Sequence, residues 1–362
     1  MMPTGADTPS HEEILEPGLR IIDPHHHLWD RRSILPSLPP ATHPFEQIVR
    51  RSTVYLLDEL NADLALGHRV EATVYLECGA MYRADGPDEL KSIGETEFVN
   101  GIAAMSASGA YGPARACLGI VGHVDLTLGA RAGEILDAHI AAAPTRFRGI
   151  RHSASWDADT RVLGPLVRRP AGVFLDKRFR EGFSELSGRG LSFDAWLLEP
   201  QLEDLIDLAR SFPGTSIVLD HVGTPLGIAS YENRRDERFH IWRDAILALA
   251  ACPNVNVKLG GLAMPFCGFP SCLSSPRAPS SQLAKEWRPY IETCIEAFGV
   301  KRAMFESNFP VDEVSCSYEK LWNAFKIITS GASQEEKADL YFNTANRFYR
   351  LGLAPVQSQG AG

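Results

Sequence analysis

The sequence predicts an α/β protein, a (β/α)8 (TIM) barrel with extra helices at its C-terminal end. Two observations predict it. Eight short apolar segments alternate with helix-patterned sequence, and polar or charged residues gather where those segments end. A strand–helix unit repeated eight times is the plan of a closed barrel, whose chemistry sits at the C-terminal ends of the strands. A chain of 362 residues, 44% hydrophobic, is long enough to bury such a core.

The strands are read at 20–26 ("RIIDPHH"), 72–77, 116–124, 147–152, 191–197, 216–221, 254–260 and 303–309. Each is a short apolar run bounded by polar sequence or glycine. Between them, apolar residues recur at helical spacing over 56–68, 95–107, 133–143, 201–212, 240–251 and 283–298. Two more helices, 318–329 and 334–351, complete a single barrel domain over 20–352. A polar extension (1–19) precedes it, and a small polar tail (353–362) is expected to be disordered. Three connections, 30–54, 78–94 and 261–282, exceed the usual two to six residues or so. They follow strand ends and are expected to form lids or pocket walls.

Composition excludes several function classes. A net charge of −9 and a basic cluster, "NRRDER" at 233–238, broken by acids argue against nucleic acid. No apolar run approaches the eighteen or so residues of a membrane span, and no basic-then-apolar leader is visible. Seven cysteines without a CxxC pair point to free thiols and the reducing cytoplasm. The expected partner is a small-molecule substrate. Exposed loop aromatics leave a homodimer open.

"RIIDPHHHLWD" contains three adjacent histidines, which a purification scar, a solvated run or an active site would each explain. The apolar flanks argue against a scar. Strand alternation places His25 and His27 on one face and His26 on the other. Similar residues close the other strands. Those of inward parity are read as His25, His27, Glu77, Arg151, His221, Lys258 and Asn308. Buried charges are costly unless paired, so chance explains such a set poorly. A minority are structural, and Asp23, Glu306 and His152 fit that reading by bridging strands or facing helices.

"IIDPHHHLWD", "GIRH", "LDHVGTP", "VNVKLGGL" and "MFESNFPVD", in this order, resemble the amidohydrolase superfamily. More narrowly they resemble its branch of L-fuconolactonase-like and 2-pyrone-4,6-dicarboxylate lactonase-like hydrolases, over about residues 20 to 350. The resemblance implies an amidohydrolase-like barrel that opens a lactone with water, in some members without metal. It assigns His25 and His27 to the strand-one pair, His221 to strand six, Arg151 to substrate binding and Lys258 to strand seven. Two departures matter. Asn308 stands where the superfamily usually has an aspartate, and strand five offers Asp194 instead of a histidine. Asp312 and Glu77 are then the carboxylates that can serve as base, beside His221.

The set fits hydrolysis of the lactone of a sugar acid or of a dicarboxylic or aromatic-derived acid. His25, His27 and Lys258 would surround the carbonyl oxygen, Arg151 and Asn308 would bind substrate, and His221, Asp312 or Glu77 would take the proton from water. No metal is expected to be required. The alternative is one divalent ion such as zinc on His25, His27 and Glu77. A metal-dependent decarboxylase and a catalytically inactive binding barrel are the competing functions.

Overall fold

Eight short strands pair in parallel in chain order, and helices cover their outer face. The computed structural model describes residues 11–38, 40–165 and 169–357. The strands are β1 (Arg20–His26), β2 (Arg69–Leu76), β3 (Arg115–Gly122) and β4 (Phe147–Arg151), then β5 (Ser192–Ala195), β6 (Ile217–Leu219), β7 (Val255–Leu259) and β8 (Ala303–Phe305). All eight expected strands are present. β6 and β8 end earlier than expected because the chain leaves extended geometry, turning left-handed at His221 and Asn308, each with φ of 56°.

Both faces of the sheet are apolar, as parallel strands covered on both sides require. Ile22, Val74, Val121, Val218 and Met304 fill the barrel interior. Their neighbours Ile21, Tyr75, Ile120, Ile217 and Phe305 pack under the helices. A register slip in β1 between Asp23 and His26 lets Ile22 and then His25 and His27 point inward. Asp23 and His26 point outward instead. Asp23 accepts bonds from the Tyr318 hydroxyl (3.0 Å) and the Ser307 N–H (2.9 Å), so its structural reading holds. β8 meets β1 only at the rim. There Asn308 N–H donates to the His25 carbonyl (2.9 Å) and His27 N–H to the Phe309 carbonyl (2.8 Å).

The outer helices are α1 (Leu57–Leu64), α2 (Ile93–Ala107), α3 (Ala132–Ala142), α4 (Lys177–Ser184), α5 (Leu202–Ser211), α6 (Arg235–Ala250), α7 (Ser280–Phe298) and α8 (Tyr318–Ile328). Of these, α4 goes beyond the sequence reading. Asp176 caps it by accepting the Phe179 N–H at 2.8 Å, and Phe179 and Phe183 anchor it in the core. The last expected helix is split, with a π-helical turn (Asp339–Asn343) between Gln334–Ala338 and Thr344–Phe348. Phe342, Ala345, Tyr349 and Leu351 from this region join the strand side chains inside the barrel.

The segment before β1 is strapped to α8, with Glu12 and Leu15 donating N–H bonds to Glu319 (3.1 Å) and Asn323 (3.0 Å). Of the tail expected to be disordered, Leu353 and Val356 are instead held by the side-chain amides of Asn346 and Asn343. Residues 358–362 lie outside the described residues. No helix among the described residues is long and apolar enough to cross a membrane.

Burial pushes the His26 imidazole down to about 4 from its ordinary 6.5. The folded protein therefore keeps His26 neutral where the unfolded chain protonates it. Its contribution to stability is complete above about pH 6.5 and is lost as pH falls towards 4. The destabilisation caused by His26→Asn should accordingly shrink between pH 7 and pH 4.5. At about 1.36 kcal/mol per pKa unit the change is roughly 2 to 3 kcal/mol, read as converging urea-unfolding free energies of the two proteins.

Candidate active site

Lys258, in β7, is fully buried at the centre of the site. Its ammonium lies 2.7 Å from Asp194 at the end of β5 and 3.0 Å from Asp220, just past β6. It is also 3.1 Å from His25 Nδ1 and 4.0 Å from Glu306, just past β8. Burial pushes the lysine towards the neutral form, but the surrounding carboxylates outweigh it and raise its pKa. One cation thus sits among three carboxylates from three strands.

Above it, Glu306 joins two imidazoles. Its Oε1 accepts the His221 Nδ1–H at 2.7 Å, and its Oε2 lies 2.7 Å from His25 Nδ1. Burial raises the Glu306 pKa, but the His221 and His25 rings outweigh it and hold the carboxyl below the ordinary range. The ionised carboxylate only accepts, so His221 carries a proton on Nδ1. The rings of His25 and His221 are 4.6 Å apart and those of His25 and His27 are 5.0 Å apart. The three histidines read from strands one and six therefore meet.

Backbone geometry makes this approach possible. Asp220 takes the inward position after Val218, and the left-handed turn at His221 swings the next ring over the same centre. Gly260 and Gly261 of "KLGGL" lie against Glu306 and His221. A Cβ on Gly261, itself at φ of 67°, would run into the His221 ring.

A cavity of about 560 Å³ opens above this cluster. His27, His221, Arg151, Glu77 and Asn308 line its inner end. All three long loops supply its walls, through Ile34 and Phe45 from the first, Cys78 and Tyr82 from the second and Met264 from the third. Arg151 is fixed there by Glu77, which accepts from its Nε at 2.7 Å, and lies over the Trp196 ring at 5.6 Å. Burial raises the Glu77 pKa, but Arg151 outweighs it and lowers the pKa overall. His27 Nδ1 donates to the Leu76 carbonyl at 2.9 Å, leaving Nε2 as an acceptor. Burial and the neighbouring Arg151 keep that ring neutral.

Several sequence readings change. Glu306, read as structural, is the link between two histidines, and Asp194 and Asp220 belong to the same centre. His25 and Lys258 are fully buried and outside the cavity lining, so neither faces the space a substrate carbonyl would take. His27 has already given its one proton to Leu76, so it cannot donate to that carbonyl either. Asp312 does not line the cavity. It accepts from Asn308 Nδ2 (2.8 Å) and the Ala263 N–H (3.3 Å), and burial pushes it up to about 7. Glu77 is engaged by Arg151 and has left the proposed ligand set. Among the described residues, those that can bring three ligand atoms within 4.8 Å of one another are His25, Asp220 and His221.

The fold is a (β/α)8 barrel with a charged cluster beneath its mouth, and sequence comparison gives its family. The family model described as Amidohydrolase matches residues 22–351, and the chain belongs to that family. It is 36% identical to the uncharacterised protein y4mH of Sinorhizobium fredii over 92% of this chain and 99% of that protein. It is 28% identical to an L-fucono-1,5-lactonase of Burkholderia multivorans over 64% of this chain and 71% of that enzyme. A crystal structure of a Burkholderia multivorans amidohydrolase with bound zinc superposes with a TM-score of 0.67. The two chains are 24% identical, over 91% of this one and 99% of that one.

Removing the central cation tests the cluster. Lys258→Met leaves Asp194, Asp220 and Glu306 without their shared partner and should destabilise the fold by about 3–5 kcal/mol. Denaturant titration would show it. A loss below about 1 kcal/mol, the scale of a surface ion pair, would mean the carboxylates do not depend on Lys258.

Proposed function

We propose that the protein opens a lactone by water addition, with His221 as general base and Arg151 as the charge that receives the carbonyl oxygen. The observation that carries this reading is the Glu306–His221 pair. A carboxylate fixes a proton on Nδ1, and the other nitrogen, Nε2, belongs to a ring that lines the cavity beside a rigidly held guanidinium. A base oriented by a third group is the arrangement acyl-transfer sites use. The 28% identity to L-fucono-1,5-lactonases supports the choice of a cyclic ester.

In this reading His221 Nε2 takes a proton as water oxygen attacks the lactone carbonyl. Arg151, held by Glu77, stabilises the oxyanion with charge already in place. The acyl–oxygen bond of the ring then breaks, and the proton on His221 passes to the leaving alkoxide. The product is one hydroxy acid. His27 Nε2 offers a second acceptor on the same wall, suited to orienting the water.

His25, Asp220 and His221 have the composition of a zinc site, so the fit of a divalent ion is a real question. Their surroundings oppose it. Lys258 lies 3.1 Å from His25 Nδ1 and 3.0 Å from Asp220 Oδ1. Arg151 lies 3.5 Å from His25 Nε2 and 3.6 Å from Asp220 Oδ2. An added dication would face two fixed cations across the same ligands. The set does not fit a tightly held divalent ion, and the cluster already provides the positive charge.

A lactone panel followed with a pH indicator should show release of one acid per turnover. His221→Asn should lower kcat by about 10²–10⁴-fold, the usual worth of a positioned base. Release of carbon dioxide instead of net addition of water would replace this reading with a decarboxylase. Turnover should survive exhaustive chelation and should not rise with added zinc or manganese. Activity lost on chelation and restored by one equivalent of zinc would make His25, Asp220 and His221 ligands and displace His221 as base.

A further inference from the structure

Asn308 and Asp312 form a fixed pair at the inner end of the cavity. Both are buried, yet of the two only Asn308 lines the cavity. The backbone joins them first, with the Asp312 N–H donating to the Asn308 carbonyl at 3.1 Å. The side chains join them again, with Asn308 Nδ2 donating to Asp312 Oδ1 at 2.8 Å. Asp312 Oδ2 is held separately by the Ala263 N–H at 3.3 Å. The turn after β8 and the third long loop thus grip the two oxygens of one carboxylate.

An asparagine side chain has an accepting end and a donating end of similar size, and its neighbours decide which way round it sits. An ionised carboxylate can only accept. It therefore takes the Nδ2 end of Asn308 and turns the other end, Oδ1, away from itself. Among the described residues no protein donor engages Oδ1. A neutral amide in place of Asp312 would hold Asn308 equally well either way round, so the orientation depends on the charge and not on the volume.

We propose that Asp312 is a positioning residue, which presents Asn308 Oδ1 to the cavity so that it accepts a hydrogen bond from a substrate group on the carbon beside the lactone carbonyl. The cavity then selects a hydroxyl there over the same position with its donor blocked. This rests on the lactone-hydrolase reading, in which His221 and His27 attend the water and Arg151 the carbonyl, leaving Asn308 for the neighbouring atom. A site built to meet a substrate donor penalises an analogue that lacks it.

The test uses the full-length protein at about pH 8.5, above the value of about 7 to which burial pushes Asp312, so that the carboxylate is ionised. With isotope-labelled asparagine, the Asn308 NH2 signal is identified by its loss in Asn308→Asp. In the wild type it should be shifted downfield by the carboxylate, and the shift should vanish in Asp312→Asn. An undisplaced wild-type signal would overturn the proposal without reference to any ligand.

The second arm compares α-hydroxy- and α-methoxy-γ-butyrolactone. The hydroxy compound should have about a tenfold higher kcat/KM, chiefly through KM, the scale of one hydrogen bond. Asp312→Asn should bring the ratio close to one, whereas a preference due to the size of the methyl group would survive it. The exchanged pair Asn308→Asp with Asp312→Asn should restore the ratio, because residue 308 then only accepts and residue 312 donates to it. Aspartate also tolerates the left-handed backbone at 308, where φ is 56°. A ratio near one in the wild type, an unchanged ratio in Asp312→Asn, or no recovery in the exchanged pair would overturn the proposal. If neither lactone is turned over, the hydrolase reading fails, and calorimetry on the same two compounds decides this one separately. Tighter binding of the hydroxy compound, lost in Asp312→Asn, would uphold it, and equal or undetectable binding would overturn it.

Discussion

The ammonium of Lys258 holds the centre of this protein together. A buried lysine is costly alone, and three buried carboxylates are costlier still. Placed as they are, with Lys258 within 4.0 Å of Asp194, Asp220 and Glu306, they neutralise much of one another. Three strands are bound to one point by charge, where an ordinary barrel interior would use packing alone. Everything above depends on that point. Glu306 stays ionised and can orient His221, while Asp220 extends towards Arg151 at 3.6 Å.

In the proposed mechanism, family membership and metal chemistry are separate matters. The family is read from the fold and from motifs spread over residues 22–351. The local chemistry is set by which charges occupy the interior. With Asn308 at the rim and lysine and arginine beside the histidines and Asp220, the interior carries fixed positive charge of its own. Electrostatic stabilisation from fixed groups needs no reorganisation as the reaction proceeds.

Much of the fold was legible because alternation of strand and helix is a local property repeated eight times. The histidines were legible because their spacing in "HHHLW" fixes their faces. What escaped the sequence was mostly a matter of small geometry. Glu306 stands two residues before Asn308 and shares its inward parity, a signal that was available and outweighed by the expectation that some strand-end charges are structural. Asp220 was hidden because strand six ends one residue before it and the inward slot passes from His221 to its neighbour. The failure of His25 and Lys258 to reach the cavity follows from depth, which parity does not encode. The proton on His27 is decided by the Leu76 carbonyl, 49 positions along the chain, and no local pattern carries that.

One contact ties this centre to the end of the chain. The Tyr349 hydroxyl donates to Asp194 at 2.6 Å from inside the barrel, on a segment that follows every strand. Chains emerge from the ribosome N-terminus first, and domains generally fold as units during synthesis. His25 is made early, but it gains its partners only when Lys258 and Glu306 have been translated, and Asp194 gains its last one only with Tyr349. Until then the nascent barrel carries unmatched charges in its interior and has little to gain by closing. The last helical turn thus supplies the interior of the site with a bond that a chain interrupted before it lacks.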